Sequence, residues 1–447
     1  MPASIFSEPS LSASMVEDLE ADYSGVFRNI EDILSRLPNV SPVDRYERLQ
    51  KIGQGTFGEV FKARHRMTKQ HFALKRIRME QEKEGQFKFP ITAIREIRIL
   101  QSLQHENIVC LKDVCYNTRD ERSCFRPQFF LVFEFCDHDL AGLSQRIDFS
   151  NSVKKAIMLQ LLKGLFYLHN FYRNRTLIFR PRNNVLHRDL KAANILINRN
   201  GVLKIADFGL ARRTVASTRP DRPPRYTGRV VTLWYRPPEI LLNDRNYGKP
   251  VDMWGAGCIM AELWTKFPIM QGDNELAQLK LIINLCGSIN SEVWPGVERL
   301  DAFRDAQLPR DIKRHVRERL KDKVSSPTAI DLIDKLLVID PSKRFTADQA
   351  LSHDYFYEDP PPGDLKVLSR EGTSYLEFFS NPRHSRGVQQ QHQQLPQAHH
   401  NYHGGHHMGT HQRPGPYQYH PGAGRVPMGQ VRRPLIPDDN IHHDRIY

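Results

Sequence analysis

The sequence predicts an α+β protein in two lobes, a small β-rich lobe followed by a larger helical one. Three observations carry that expectation. The chain has 447 residues, more than one hydrophobic core usually serves. Strand character recurs at residues 46–52, 59–63, 72–75 and 129–133. From residue 152 the apolar spacing turns helical, first through Ile157, Leu161, Leu165 and Leu168, then in stretches reaching residue 351. The expected division is an N-terminal extension over 1–45, partly disordered, a folded domain over 46–356 and a C-terminal extension over 357–380. Within the domain the small lobe is 46–135 and the large lobe 136–356. Gln, His, Pro and Gly dominate residues 381–447, which lack apolar periodicity and are expected to be disordered.

Bulk properties narrow the class of protein. Hydrophobic residues make up 40%, enough for a sizeable core, and no apolar run approaches a membrane span, so no membrane role is expected. Residues 1–12 lack the basic start and apolar stretch of a signal peptide. The six cysteines form no Cys-x-x-Cys pair and read as reduced thiols. A formal charge of +13 favours acidic partners in general, but it decides nothing alone. In the extension, Ser24 is placed to cap a helix whose apolar side is Phe27, Ile30, Ile33, Leu34 and Leu37, stopped by Pro38.

The small lobe opens on a glycine pattern. Ile52, Gly53, Gln54, Gly55, Thr56, Phe57, Gly58, Glu59 and Val60 read Gly-x-Gly-x-x-Gly with apolar flanks. Glycines let the backbone approach nucleotide phosphates and turn its amides toward them. A dinucleotide-binding fold carries the same glycines at the start of a helix, whereas here both flanks alternate like a β-hairpin. In the next strand Lys75 is expected to reach the phosphates and Ala73 to line a base pocket. Glu96 is the expected partner of Lys75, on a helix with the apolar stripe Ile91, Ile94, Ile97 and Leu100. Phe133 would close the pocket behind the base, and the linker backbone at Glu134 and Cys136 would meet it. Asp139 either lies at the pocket rim or caps the following helix, with the rim slightly favoured.

The chemistry concentrates in His187-Arg-Asp-Leu-Lys-Ala-Ala-Asn194 and Asp207-Phe-Gly209. Phosphoryl transfer asks a protein mainly to position groups and neutralise charge. Asp189 is placed to accept the proton of an incoming hydroxyl, and Lys191 to hold the transferring phosphate. Asn194 and Asp207 would grip magnesium ions bridging the phosphates of ATP. Either motif alone recurs by chance; both together, separated by a strand-like apolar run, do not.

Residues 210–239 hold seven arginines against one acid before Glu239, and Thr227 sits among them. A phosphate on Thr227 would order the segment through arginines, with Arg95, Arg188 and Arg212 as receivers. Arg344 is the expected partner of Glu239, and Asp252 is expected to brace the catalytic loop backbone. The acid-free basic stretch 170–184 reads as a solvated insertion.

These residues resemble the cyclin-dependent protein kinases over 46–376, and within them the transcription-elongation branch that pairs with T-type cyclins. The specific marks are Ile52-Gly-Gln-Gly-Thr-Phe-Gly-Glu-Val60, Pro90-Ile-Thr-Ala-Ile-Arg-Glu96, residues 131–143, residues 225–239 and residues 255–262. The resemblance implies a two-lobed kinase fold using ATP and Mg2+. It further implies control by a T-type cyclin through the 91–96 helix, and a nuclear enzyme phosphorylating Ser/Thr-Pro sites of the RNA polymerase II C-terminal repeat. Val230, Val231 and Arg236 match the family's arrangement for the residue after the target. Three departures are an insertion at 86–88, the length of 170–184, and Ile94 where the family helix usually has Leu. Other readings are a proline-directed kinase with cell-cycle substrates, or a catalytically dead scaffold, which would lack one of Lys75, Asp189, Asn194 or Asp207. Direct nucleic-acid binding is not expected, since no signature of interleaved aromatics and glycines appears.

Overall fold

The computed structural model describes residues 40–55, 58–81, 87–117, 128–170, 184–214, 230–369 and 373–376. Two lobes are seen. The first is a six-stranded sheet in the order Val40–Pro42, Leu111–Asn117, Gln128–Glu134, His71–Ile77, Gly58–His65, Tyr46–Gly55. All neighbours run antiparallel except the first pair, which is parallel with Val40 opposite Val114. Ahead of residue 46, residues 40–42 pair with the sheet and residues 43–45 form a 3-10 turn that leads into the strand Tyr46–Gly55. A three-residue strand ending in Pro42 is too short to show an alternating pattern. The predicted helix at 24–37 and the tail at 381–447 lie outside the described residues.

Alternation along the strands sorts the small lobe into two faces. Val60, Ala73, Val114 and Leu131 face the helix Ile91–Gln101, which buries Ala93, Ile94, Ile97 and Leu100 against them. Phe72, Leu74, Cys115, Phe130 and Val132 point to the other face. Pro90 is the N-cap of that helix, where its missing N–H costs nothing. The insertion at 86–88 is partly absorbed by a hairpin pairing Phe87–Lys88 with Glu80–Gln81.

The second lobe is built on the helix Pro250–Thr265, apolar on nearly every side and therefore central. Asn151–His169, Glu275–Cys286 and Pro327–Leu336 are the other long helices. Ser150, Asn274 and Ser326 cap them by accepting the backbone N–H of Val153, Ala277 and Ala329. Gly255 lets the central helix approach the catalytic loop; a Cβ there would stand 2.9 Å from Cβ of Leu190. A three-stranded sheet of His138–Asp139, Ile195–Ile197 and Leu203–Ile205 lies at the junction of the lobes.

The C-terminal extension folds back on the linker. Leu365, Leu368 and Leu376 are buried. The Asp139 N–H donates to the Tyr375 carbonyl at 3.1 Å, and the Tyr375 N–H to Nδ1 of His138 at 3.0 Å. The five described cysteines are free, and among the described residues no helix is long and apolar enough to cross a membrane.

Candidate active site

The cleft between the lobes brings together residues far apart in sequence. Lys75, on the strand His71–Ile77, donates to Oε1 of Glu96 at 2.8 Å and to Oδ1 of Asp207 at 2.9 Å. Lys75 is only 2% exposed. Burial pushes its ammonium down, and the carboxylates of Asp207 and Glu96 outweigh that, holding it above its ordinary value. The helix Ile91–Gln101 thus sits with Glu96 turned into the cleft.

Asp189 sits on the loop between Val185–Leu186 and Ile195–Ile197. Its Oδ1 accepts the Thr232 N–H at 3.1 Å and the Thr232 hydroxyl at 2.9 Å. Its Oδ2 accepts from Asn194 at 3.1 Å and lies 3.2 Å from Nζ of Lys191. Burial pushes the Asp189 carboxyl up; Lys191, Thr232 and His187 outweigh it, so the group stays ionised. A buried carboxylate held by three donors and one cation has the orientation that a proton acceptor needs. Lys191 also donates to the Thr232 hydroxyl at 3.2 Å, tying the activation segment to the catalytic loop.

Asn194 donates to the Asp189 carbonyl at 2.8 Å, which leaves its Oδ1 buried with no hydrogen-bond partner. An orphaned buried oxygen is costly unless something else satisfies it. Asp207, at φ +65°, supplies a carboxylate on the same side of the cleft as Lys75. A hard divalent cation takes oxygen ligands of these two kinds, so the residues fit the metal that the sequence calls for.

The roof is the hairpin of Tyr46–Gly55 and Gly58–His65. Gly58 has φ +147°, and a Cβ there would run into the carbonyl oxygen of Arg76. Glu59 bonds Lys51 at 2.6 Å and pairs with Arg76, fastening the hairpin to the neighbouring strand. Ile52, Val60 and Ala73 are buried beneath it, and Ala73 lies opposite Phe133 in the strand register. Glu134 is held by its side chain, which accepts the Cys110 N–H at 3.0 Å and pairs with Lys204 at 2.9 Å. Cys136 follows in the linker, fully buried.

The matches to known proteins agree with this geometry. The protein kinase domain family matches residues 46–356. Cyclin-dependent kinase 9 of Homo sapiens is 54% identical over 349 residues, covering 77% of this chain and 90% of that protein. The enzyme of the same name from Danio rerio is 53% identical over 361 residues, covering 79% of this chain and 92% of that protein. This chain belongs to the cyclin-dependent protein kinases. It is a serine/threonine kinase, with the ATP use general to that domain. A chain in the crystal structure of the yeast RNA Pol II CTD kinase CTDK-1 complex shares the fold with a TM-score of 0.60 and 34% identity. That match covers 81% of this chain and 99% of the yeast one.

Several expected site residues have structural partners of their own. Asp139 is the N-cap of the helix Leu140–Ser144, its Oδ1 accepting the Gly142 N–H at 2.6 Å. The cap expected of Asp139 is therefore formed, one side-chain oxygen satisfying an otherwise unpaired amide of the helix. Arg188 donates from Nε to the Leu210 carbonyl and from a terminal nitrogen to the Tyr247 hydroxyl, both at 2.7 Å. Much of its guanidinium is thus already engaged. Arg212 lies in the strand Arg212–Arg213, paired with Val185–Leu186, beside the catalytic loop. Thr56, Phe57, Thr227 and residues 171–183 lie outside the described residues.

Sequence reasoning missed Thr232, Tyr247 and His169. Thr232 contacts both Asp189 and Lys191, Tyr247 holds Arg188, and His169 bonds Asp252 at 2.8 Å. None belongs to a motif with a chemical spacing of its own; each is found only by asking what pairs with a motif residue.

Proposed function

We propose that this chain transfers the γ-phosphate of ATP to serine or threonine followed by proline, chiefly in the RNA polymerase II C-terminal repeat, in the nucleus with a T-type cyclin. Asp189 takes the proton of the target hydroxyl, Lys191 holds the transferring phosphate, and Lys75 orients the α- and β-phosphates. Asn194 and Asp207 would hold Mg2+, which would supply positive charge to offset that of the phosphates. Thr227 is the activating phosphosite.

One observation carries the proline preference. Val231 has φ +67°, a costly backbone for a β-branched residue, and its carbonyl accepts from Arg236 at 3.2 and 3.0 Å. That oxygen is therefore committed and turned from the groove. An incoming amide at the next substrate residue finds no acceptor there, and proline has no amide to leave unpaired. The named activity of the yeast relative, an RNA Pol II CTD kinase, supports the choice of substrate.

The deciding experiment purifies the chain with its co-expressed cyclin and measures phosphate transfer to polymerase repeat peptides and to matched cell-cycle Ser-Pro peptides. Higher kcat/KM on the repeat supports the proposal. Equal or lower values favour the cell-cycle reading.

A further inference from the structure

Glu134 ends the strand Gln128–Glu134, where the chain leaves the small lobe for the linker. Its Oε1 receives two donors at once, the Cys110 N–H at 3.0 Å and the ammonium of Lys204 at 2.9 Å. Lys204 lies in the strand Leu203–Ile205 at the lobe junction, between two residues that are 0% exposed. Lys204 is itself only 9% exposed. Lysine is rarely buried this far unless a carboxylate answers it.

The three segments that meet at this oxygen lead to different parts of the nucleotide site. Lys204 stands shortly before Asp207, and its register partner Leu196 stands shortly after Asn194. The Ala206 N–H donates to the Asn194 carbonyl at 2.9 Å, so both residues expected to hold the metal are built on this strand pair. Cys110 follows the helix that carries Glu96, and the stretch before it is laced to the same strand. Val109 N–H donates to the Ile205 carbonyl at 3.0 Å, and Ile205 N–H to the Asn107 carbonyl at 2.9 Å. Nδ2 of Asn107 donates to the Leu203 carbonyl at 3.0 Å. Glu134 joins the linker to this assembly.

We propose that Lys204 is a positioning residue for the nucleotide. Through Glu134 it holds the linker backbone against the strand that leads to Asp207, so that the adenine contact and the carboxylate keep one spacing. The inference rests on the proposed meeting of linker and adenine. The ion pair stands together with the Lys75–Glu96 and Lys75–Asp207 pairs, so it belongs to the assembled site. Without the cation Glu134 keeps only the Cys110 donor, and the linker gains freedom that nucleotide binding must then remove. Asp189 takes its donors from Thr232, Asn194 and Lys191, so the transfer step does not pass through Lys204. The effect therefore falls on nucleotide affinity.

The test uses the chain with its co-expressed cyclin and compares wild type, Lys204→Met, Lys204→Arg and Glu134→Gln. ADP with Mg2+ is titrated by calorimetry. On one saturating Ser-Pro peptide, kcat and the KM for ATP are measured beside urea unfolding midpoints. Lys204→Met removes the cation and keeps the stem, whereas Glu134→Gln keeps an oxygen for the Cys110 N–H and loses the charge. Both should weaken ADP binding and raise the KM for ATP by at least ~5-fold, with kcat within about twofold of wild type. Lys204→Arg should restore most of the loss. Unchanged ADP affinity in Lys204→Met overturns the proposal. So does a fall in kcat at constant KM, the mark of a merely structural role. Should Lys204→Met unfold, Glu134→Gln decides alone by the same criteria. A wild-type complex that binds no ADP overturns the nucleotide site as well, whereas variants that match a binding wild type overturn only the role of Lys204.

Discussion

Asp252 accepts the backbone N–H of Arg188 at 2.9 Å, and Arg188 stands at φ +66°. The second carboxylate oxygen accepts the His187 N–H at 2.9 Å and bonds His169 at 2.8 Å. One buried carboxylate therefore holds the catalytic loop in a backbone conformation that L-residues resist, at ~1–2 kcal/mol. Asp252→Asn keeps the shape but turns an amide group toward donors. The expected cost is ~1–3 kcal/mol for each donor left without an acceptor. A displaced Asp189 should lower kcat/KM by about 100-fold.

The same residue sets a pH dependence. Burial pushes the Asp252 carboxyl up, and the His169 hydrogen bond, the electrostatic pull of the His169 and His187 rings and the Arg188 N–H together outweigh it, leaving it below its ordinary value. A depressed folded value means its stabilisation is present above the unfolded value of about 3.9 and is lost as pH falls below it. Urea unfolding at pH 7 and at pH ~3 should show the gap between the wild type and Asp252→Asn narrowing at the lower pH. A gap that widens on acidification would remove Asp252 as the cause.

Asp189→Asn should abolish transfer while ATP binding stays nearly intact. The Thr232 bonds at 3.1 and 2.9 Å can persist to an amide oxygen, so the loop keeps its place. General-base contributions run ~10²–10⁴-fold. Radiolabelled phosphate transfer above about half of wild type would rule out Asp189 as the base.

Arg344 donates to Glu239 at 2.7 and 3.0 Å, with the two side chains 0% and 1% exposed. Removing the cation leaves a buried carboxylate uncompensated, so Arg344→Met should destabilise the large lobe by ~3–5 kcal/mol. Glu239→Gln in the same chain should restore part of that loss. Denaturant midpoints of the four proteins give the coupling directly.

Much of this site was legible because phosphoryl transfer needs charged residues at fixed spacings. Lys75, Glu96, Asp189, Asn194 and Asp207 converge as those spacings imply, and Asp252 and Arg344 find the partners expected of them. The remainder depended on tertiary pairing. The cap that Asp139 forms becomes visible only when the Gly142 N–H is placed against it. Thr232 gains its role only when the activation segment crosses the catalytic loop, 43 residues from Asp189. Val40–Pro42 becomes a strand solely through Leu111–Asn117, which its own three residues cannot signal.

Thr227→Ala should remove most of the activity even with cyclin bound. A phosphate carries close to two negative charges and forms charge-assisted bonds to arginines. Arg188 already donates to Leu210 and Tyr247, so its remaining capacity sets how much it adds beside Arg95 and Arg212. Arg212→Ala is therefore expected to weaken the response to Thr227 phosphorylation more than Tyr247→Phe does. Equal activity of Thr227→Ala and wild type in a cyclin complex would make the arginines structural rather than regulatory.

The last prediction concerns the residue after the target. Arg236 engages the Val231 carbonyl with two nitrogens and pairs with Glu275 at 2.7 Å, so its guanidinium is fixed on both sides. If that engagement denies the substrate an acceptor, a peptide with alanine in place of proline buries an unpaired N–H, at ~1–3 kcal/mol. In kcat/KM this is about a 5- to 150-fold preference for proline. Arg236→Leu would free the Val231 oxygen and let the backbone relax toward the groove. The alanine peptide should then gain while the proline peptide changes little, because proline never needed the acceptor. Steady-state kinetics on the two peptides with both enzymes form a closed cycle. A ratio unchanged by Arg236→Leu would place the proline preference in the pocket's shape rather than in its missing acceptor.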